Sequence, residues 1–200
     1  LLMMAVSDNT ATDILFDMVG AEAIAEYMRE LGLEKTIIDL DTRQLILGYL
    51  GLDMDEELTI AELGRVPAAY WGSEERQQRL AEFDNELHDV STPREIGTIL
   101  HKLVKGEIIN EETSGRIINT LRHHTGAALI TRYMPFGVGV ARKGGSLARD
   151  GRWTVLNDSG IVFLPGNAGH LVVCVFANDL KDHSAVFEIC VGRISRVALD

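Results

Sequence analysis

Hydrophobic residues recur at helical spacing through much of the chain. The clearest segment begins at Thr92-Pro93-Arg94-Glu95, after which apolar residues at positions 96, 99, 100, 103 and 104 form one stripe. Thr92 suits an N-cap, Pro93 the first helical turn and Glu95 a capping box, so this pattern predicts a core-facing helix that ends at Gly106. The same periodicity predicts helices before Gly20, from about Ala21 to Leu31, after Thr42, from Ser73 to Leu87, after Asn110 and from Ser184 to Leu199.

The pattern changes near residue 137 to runs of β-branched and aromatic residues. Three runs, at about 137–146, 158–164 and 171–177, are bounded by Gly, Asn, Asp or Pro and predict three consecutive antiparallel strands, with a charged loop between the first two. In this interpretation Lys143 lies at the end of the first strand, followed by two glycines. A lysine beside bare backbone can hold an anionic ligand, and it is also typical of a sheet edge protected against aggregation.

These elements predict an α+β fold, in which an antiparallel β-sheet is flanked by helices and accompanied by a mostly helical subdomain. A length of 200 residues suits one domain. We expect a single domain over 1–200, helical to about residue 130 and containing the sheet and a C-terminal helix over about 131–200. The apolar opening Leu1-Leu2-Met3-Met4-Ala5-Val6 resembles the interior of a buried element, so we expect the chain to begin inside a domain.

Charge and composition exclude several classes of partner. The net charge of −11 argues against nucleic acid and against an anionic membrane surface, and the apolar runs are too short to span a bilayer. Two cysteines do not make a disulfide framework, and we expect Cys174 and Cys190 to be small core residues. His123 and His124 are adjacent at a helix end and point about 100° apart, which makes them a poor metal pair. No metal or cofactor is expected.

Four short motifs follow one another along the chain: Ser7-Asp8-Asn9, Ser91-Thr92-Pro93 at a helix start, Lys143-Gly144-Gly145-Ser146, and Asn157-Asp158 before a strand. In this order and context the chain resembles the class A β-lactamase-like serine hydrolases of the penicillin-recognising superfamily. The resemblance covers nearly the whole chain, although residues 41–90 follow the family pattern poorly. Read without the family, Ser7-Asp8-Asn9 is simply a helix N-cap region.

The resemblance implies an acyl-transfer reaction in which a nucleophilic serine attacks a strained cyclic amide. It implies that Ser7 shuttles a proton to the leaving nitrogen and that Lys143 supplies positive charge near Ser7 and the substrate carboxylate. Asn9 would contact the substrate and a lysine, and Gly145 and Ser146 would lie along the bound ligand. The implied substrate is a β-lactam or a peptidoglycan-like molecule, and the implied location is outside the cytoplasm.

Three features depart from the family pattern. None of the five lysines is preceded by serine at the third position, so the Ser-x-x-Lys nucleophile is absent from this sequence. Lys143-Gly144-Gly145 replaces Lys-Thr-Gly, which removes a hydrogen bond of roughly 0.5–1.5 kcal/mol that Ser146 can compensate. No glutamate matches the residue that activates the deacylating water in class A enzymes, so slow turnover of an acyl-enzyme is a possible outcome.

These departures leave two hypotheses for the function. The first is a β-lactamase-type serine hydrolase represented by its C-terminal part. The second is a non-catalytic penicillin-binding-like or interaction module that kept the fold and lost the chemistry. The family's sheet also contains two N-terminal strands that are absent here, which would leave the 171–177 strand with an unpaired edge. We expect the missing N-terminal segment or a second copy of the chain to cover that edge.

Overall fold

The structure of the protein, a computed structural model, describes residues 1–181 and 184–200 apart from the side chain of Ile60. The α-helices in this part of the chain are α1 (Leu2–Ala5), α2 (Asn9–Val19), α3 (Ala21–Glu30), α4 (Thr42–Leu50), α5 (Glu74–Asn85), α6 (Pro93–Lys105), α7 (Glu111–Leu121) and α8 (Ser184–Leu199). The strands are β1 (Gly139–Arg149), β2 (Arg152–Phe163) and β3 (His170–Ala177). Short 3₁₀ helices cover Ile60–Arg65, Tyr70–Gly72 and Pro165–Asn167. Among the described residues, no helix is long and apolar enough to cross a membrane.

An antiparallel sheet with helices packed on it confirms the predicted α+β fold class. The three strands lie in the order β1-β2-β3, and both pairings are antiparallel. In the β1–β2 register Lys143 lies opposite Ser159, Gly144 opposite Asp158 and Gly145 opposite Asn157. Two compact units divide the chain: Leu1–Asp8 together with Thr92–Asp200, and Asn9–Ser91.

The charged loop predicted between the first two strands is wrong. The ladder continues to Arg149 opposite Arg152, and the two strands are joined by Asp150 and Gly151 alone. Their φ values of 52° and 75° are both positive, as a two-residue type I′ hairpin turn requires and as Asp-Gly favours. Lys143 therefore lies in the middle of β1 rather than at its end.

The extension of β2 corrects a second boundary. Asn157 and Asp158, which the sequence indicated as preceding a strand, lie within β2. Both residues consequently have a ladder partner on each side, Gly145 and Phe176 for Asn157, and Gly144 and Val175 for Asp158.

The core of the sheet unit lies between the strands, α8 and the segment that follows α7. Its buried members are Leu129, Ile130, Val162, Val173 and Val191. The predicted C-terminal helix therefore packs on the sheet through Val191. The expectation for Cys190 is wrong, because this packing leaves Cys190 exposed, whereas Cys174 on β3 is partly buried.

Two capped helices lead into the site. Thr92 Oγ1 accepts from the Glu95 amide at 3.2 Å, and Asn110 Oδ1 accepts from the Thr113 amide at 2.8 Å, so both predicted N-caps are present. Helix α6 ends at Gly106 with φ 72°. Helix α7 ends at Leu121, and the chain then turns so that His124 contacts α1 and β1 and Thr125 contacts α1.

The Asn9–Ser91 unit is helical and has its own core, formed by Leu33, Leu47, Leu52 and Leu80. Asp41 and Gln44 form a capping box at the start of α4. Arg76 is buried and donates to the carbonyls of Leu50 and Trp71, each at 2.9 Å. These contacts join α4, the 3₁₀ segment and α5 through backbone acceptors.

Candidate active site

Ser7 lies in the short connection after α1 and has an unusual backbone conformation. Its φ of 56° is in the left-handed region, which costs a non-glycine residue on the order of 1 to 3 kcal/mol unless its surroundings fix it. Two bonds from Thr125 provide such support, since its amide and its Oγ1 donate to the Ala5 carbonyl at 2.8 and 3.1 Å. The Ser7 side chain is exposed and therefore accessible to a ligand.

Lys143 reaches Ser7 from the middle of β1. Its Nζ donates to Ser7 Oγ at 2.8 Å and also to the Gly144 carbonyl. Burial lowers the pKa of the Lys143 amine, and the neighbouring Arg142 lowers it further, while Asp158 acts in the opposite direction. The lysine is thus a partly desolvated donor held against a hydroxyl.

His124 connects the two segments that carry Ser7 and Lys143. Its Nδ1 lies 3.0 Å from the Met4 carbonyl, and its Nε2 lies 3.2 Å from the Gly144 amide. A carbonyl can only accept and an amide N–H can only donate, so the neutral ring with its proton on Nδ1 satisfies both partners. Burial lowers the pKa of His124, and the charges of Arg142 and Lys143 lower it further.

A buried ion pair lies behind this part of β1. Arg142 Nη1 contacts both carboxylate oxygens of Asp158, at 3.3 and 3.2 Å, and Nη2 donates to the Gly126 carbonyl. Asp158 Oδ2 also accepts from the Ile130 amide at 3.0 Å. Burial raises the pKa of Asp158, while Arg142 opposes the shift. The pair fixes β1 and β2 to the segment that follows α7.

The strand beyond Lys143 is open. Gly145 and Ser146 are exposed, and a Cβ atom at Gly145 would have no neighbour within 4 Å. Because amide directions alternate along a strand, the Ser146 N–H points to the same edge as that of Gly144. His124 already accepts from Gly144. An ammonium, a hydroxyl and an exposed stretch of strand backbone can together bind a carboxylate or carbonyl and relay a proton.

The structure brings Ser7 and Lys143 into contact and places Gly145 and Ser146 directly after Lys143. Asn9 is the exposed first residue of α2 and belongs to the Asn9–Ser91 unit, so its contribution to the site stays a prediction. Helix α2 begins at Asn9, which puts Asp8 rather than Ser7 at the N-cap position. Among the described residues, no group of three or more His, Cys, Asp or Glu could hold a metal ion.

Sequence reasoning missed two parts of this neighbourhood. The sequence pairs His124 only with His123, as a poor metal pair, and it does not predict the ion pair between Arg142 and Asp158. A signal for the ion pair exists, because opposite charges in two neighbouring apolar strands need a partner if they are buried. The role of His124 as a bridge has no comparable local signal.

Comparisons with known proteins identify a matching family and similar solved structures. The model of the Beta-lactamase enzyme family matches residues 1–200. A β-lactamase from Chitinophaga pinensis is 24% identical, with a TM-score of 0.74, and the match covers 100% of this chain and 62% of that one. A β-lactamase from Sphaerobacter thermophilus is 26% identical, with a TM-score of 0.69, and the match covers 99% of this chain and 59% of that one.

A third solved structure is an acyl-enzyme complex of a PBP-A mutant with penicillin G. It is 21% identical, with a TM-score of 0.67, and the match covers 99% of this chain and 58% of that chain. The chain therefore spans about 60% of the length of the solved structures that it matches. A comparison with curated proteins found no match.

Proposed function

Because the chain belongs to the β-lactamase enzyme family, we propose that it carries the Ser7–Lys143 half of a serine hydrolase site that opens β-lactam cyclic amides through an acyl-enzyme. The observation that carries the proposal is the 2.8 Å contact between Lys143 Nζ and Ser7 Oγ, two residues that are 136 positions apart. Since the sequence has no Ser-x-x-Lys, the nucleophile would come from a segment outside these 200 residues.

The proposed role of Ser7 is to pass a proton to the leaving nitrogen. When the nucleophilic hydroxyl attacks the carbonyl carbon, the C–N bond breaks and the nitrogen must gain one proton. Ser7 Oγ–H gives that proton and takes the one lost by the nucleophile, so the number of protons on Ser7 is unchanged. The Lys143 ammonium stabilises negative charge on Ser7 Oγ during the transfer, and partial burial strengthens that effect.

The proposed role of the strand beyond Lys143 is to align the substrate. The Lys143 ammonium attracts the carboxylate of a β-lactam, and the exposed Gly145 lets the ligand approach the backbone. The Ser146 amide and hydroxyl are the next donors along β1. Asn9 is proposed to contact the substrate's side-chain amide.

The alternative is a penicillin-binding-like or interaction module that does not turn over. This alternative holds if the sequence upstream of Leu1 carries no Ser-x-x-Lys segment. The PBP-A mutant structure is an acyl-enzyme complex with penicillin G, so a protein of this fold can carry a penicillin adduct. The two functions differ in whether any adduct forms and in how fast it is released.

A partner for the sheet edge belongs to the same proposal. Within the described residues β3 pairs with β2 alone, and α8 exposes Val186, Ile194 and Val197. We expect an N-terminal segment or a second copy of the chain to cover this region, since an unpaired strand is prone to association. Export from the cytoplasm is proposed from the family, and antibiotic resistance would follow from turnover.

Mass spectrometry after incubation with penicillin G tests the function. The 200-residue chain alone should gain no adduct, and the full-length protein should be acylated on a serine outside residues 1–200. Ser7→Ala should slow acylation by roughly 10²–10⁴-fold, the usual contribution of a positioned proton-transfer group, without a large fall in the thermal midpoint.

A lysine pair provides the matched control. Lys143→Met should slow acylation, whereas Lys105→Met, at an exposed position at the end of α6, should not. An adduct on any serine of this chain would overturn the assigned roles. Full-length protein that never becomes acylated would favour the non-catalytic module.

A further inference from the structure

His124 is the group that joins the segment before Ser7 to the segment after Lys143. We propose that His124 is a positioning residue for the Ser7–Lys143 pair, and that protonation of its Nε2 releases Gly144 and thereby switches the site off in acid. The proposal rests on the proposed function for its catalytic consequence. Its geometric part concerns only hydrogen bonds within the Leu1–Asp8 and Thr92–Asp200 unit.

The positioning role follows from where the two bonds of His124 end. Met4 lies three residues before Ser7, and Gly144 directly follows Lys143. Helix α1 has only four residues, too few to be stable alone, so external contacts must hold it. His124 and Thr125 supply three such bonds, to Met4 and to Ala5. Without His124, the Leu1–Asp8 segment would keep the Lys143 side chain as a link to β1 but would lose the bridge to the Gly144 backbone.

The switch follows from the donor and acceptor pattern of the ring. In the neutral form Nδ1–H donates to the Met4 carbonyl and Nε2 accepts from the Gly144 amide. Adding a proton to Nε2 places two N–H donors against each other, so the bond to Gly144 must break. The bond to Met4 survives. The connection to β1 is therefore the one that acid removes.

Neighbouring charges act in the same direction. Arg142 and Lys143 on β1 both lower the pKa of His124, whereas the hydrogen bond to the Met4 carbonyl and the charge of Asp158 on β2 raise it. Arg122, at the end of α7, lines the same cavity of about 320 Å³ as His124 and Arg142. Helix α1 (Leu2-Met3-Met4-Ala5) contributes no titratable side chain. Burial lowers the pKa of His124, so the transition is expected below the ordinary histidine range near 6.5.

Two amide substitutions separate the two bonds. Glutamine can place its side-chain oxygen near the position of Nε2 and so keep the acceptor for Gly144 without titrating. Asparagine is shorter and can keep only the donor to Met4. His123→Gln is the matched control, because His123 is the adjacent residue, is exposed and contacts the Asn119 carbonyl instead.

The first arm is nuclear magnetic resonance of the ¹⁵N-labelled full-length protein and needs no activity. At pH 7.5 the His124 ring should carry its proton on Nδ1, and the Gly144 amide shift should follow the titration of His124 as pH falls to 4.5. His124→Gln should abolish that titration of Gly144, and His123→Gln should leave it unchanged. A proton on Nε2 at pH 7.5, or a Gly144 amide that ignores the His124 titration, would overturn the proposal.

The second arm is the pH profile of penicillin acylation in the full-length protein. The wild-type rate should fall about tenfold per pH unit below the His124 transition. His124→Gln should lose that acid limb, while His124→Asn should be slower at every pH by about 10- to 100-fold, as expected for a misplaced reacting group. An unchanged acid limb in His124→Gln contradicts the switch. If no variant and no wild-type protein is acylated, the proposed function fails, whereas the first arm still decides the role of His124.

Discussion

Truncating Asp158 to alanine should lower the free energy of unfolding by about 3 to 5 kcal/mol, the cost typical of breaking a buried ion pair. The side chains of Arg142 and Asp158 are only 6% and 0% exposed. Asp158 accepts bonds from Arg142 Nη1 and from the Ile130 amide. The truncation therefore leaves a buried guanidinium without its counter-ion and a buried amide without its acceptor.

The pH dependence of the partner variant provides an independent test. Burial already raises the pKa of Asp158, and Arg142 is the largest influence that opposes the shift. In Arg142→Met the pKa should rise further. A folded-state pKa above the unfolded value means that the folded state binds more protons, so stability rises as pH falls through the folded pKa. Arg142→Met should therefore regain stability on mild acidification, and Asp158→Ala should not.

Urea unfolding followed by far-ultraviolet circular dichroism measures both effects. With a slope of about 2 kcal/mol per molar urea, 3 to 5 kcal/mol corresponds to a midpoint lower by about 1.5 to 2.5 M. Arg193→Met, at an exposed position on α8, is the matched control and should change the midpoint little. A shift of less than about 0.5 M for Asp158→Ala, or an Arg142→Met variant that loses stability in mild acid, would refute this account.

Two further predictions concern residues outside the candidate site. The hydrogen bond that His88 Nδ1 donates to the Asp39 carboxylate raises the pKa of His88. The stabilisation from this pair should therefore be complete below the unfolded pKa of 6.5 and be lost as pH rises through the folded pKa, so Asp39→Asn should flatten the urea midpoints measured across this pH range. Gly115→Ala in α7 should raise the free energy of unfolding by about 0.5 to 1 kcal/mol, because the added Cβ meets nothing within 4 Å. Gly48→Ala in α4 should lower it by about 1 to 3 kcal/mol, because the added Cβ would lie 2.5 Å from the Phe83 ring. Equal thermal midpoints for the two variants would contradict this packing.

The fold could be predicted where the sequence carries local signals. Helix α6 has an N-cap, a proline in its first turn, an apolar stripe and a glycine at its end, and the structure uses all four. The β1–β2 hairpin was predicted too short because Arg149, Arg152 and Trp153 read as a loop. Trp153 is about half exposed, so this end of the ladder lacks the alternation that marks a half-buried strand. Asp150-Gly151, the hairpin turn, was the signal that could have corrected it.

The site could be predicted only in part, for a different physical reason. A motif order selected Ser7 and Lys143, but the 2.8 Å contact between them depends on tertiary structure across 136 positions. The same holds for His124, whose partners lie 120 and 20 positions away. Hydrogen bonds between distant segments have no periodicity, so a single sequence can suggest which residues are chemically able to act but not which of them meet.

The Lys-Thr-Gly pattern implied by the family resemblance would place threonine where this chain has Gly144. A Cβ at position 144 would lie 3.5 Å from His124 Nε2 and 3.4 Å from the Asn157 carbonyl, contacts that are ordinary or nearly so. Space alone therefore does not require glycine at position 144, and this chain lacks the hydroxyl that a threonine would place there. Ser146 points to the same face of β1 two residues later, about 7 Å along the strand. If Ser146 supplies the donor that a threonine at position 144 would give, the proposed ligand must extend about 7 Å further along β1.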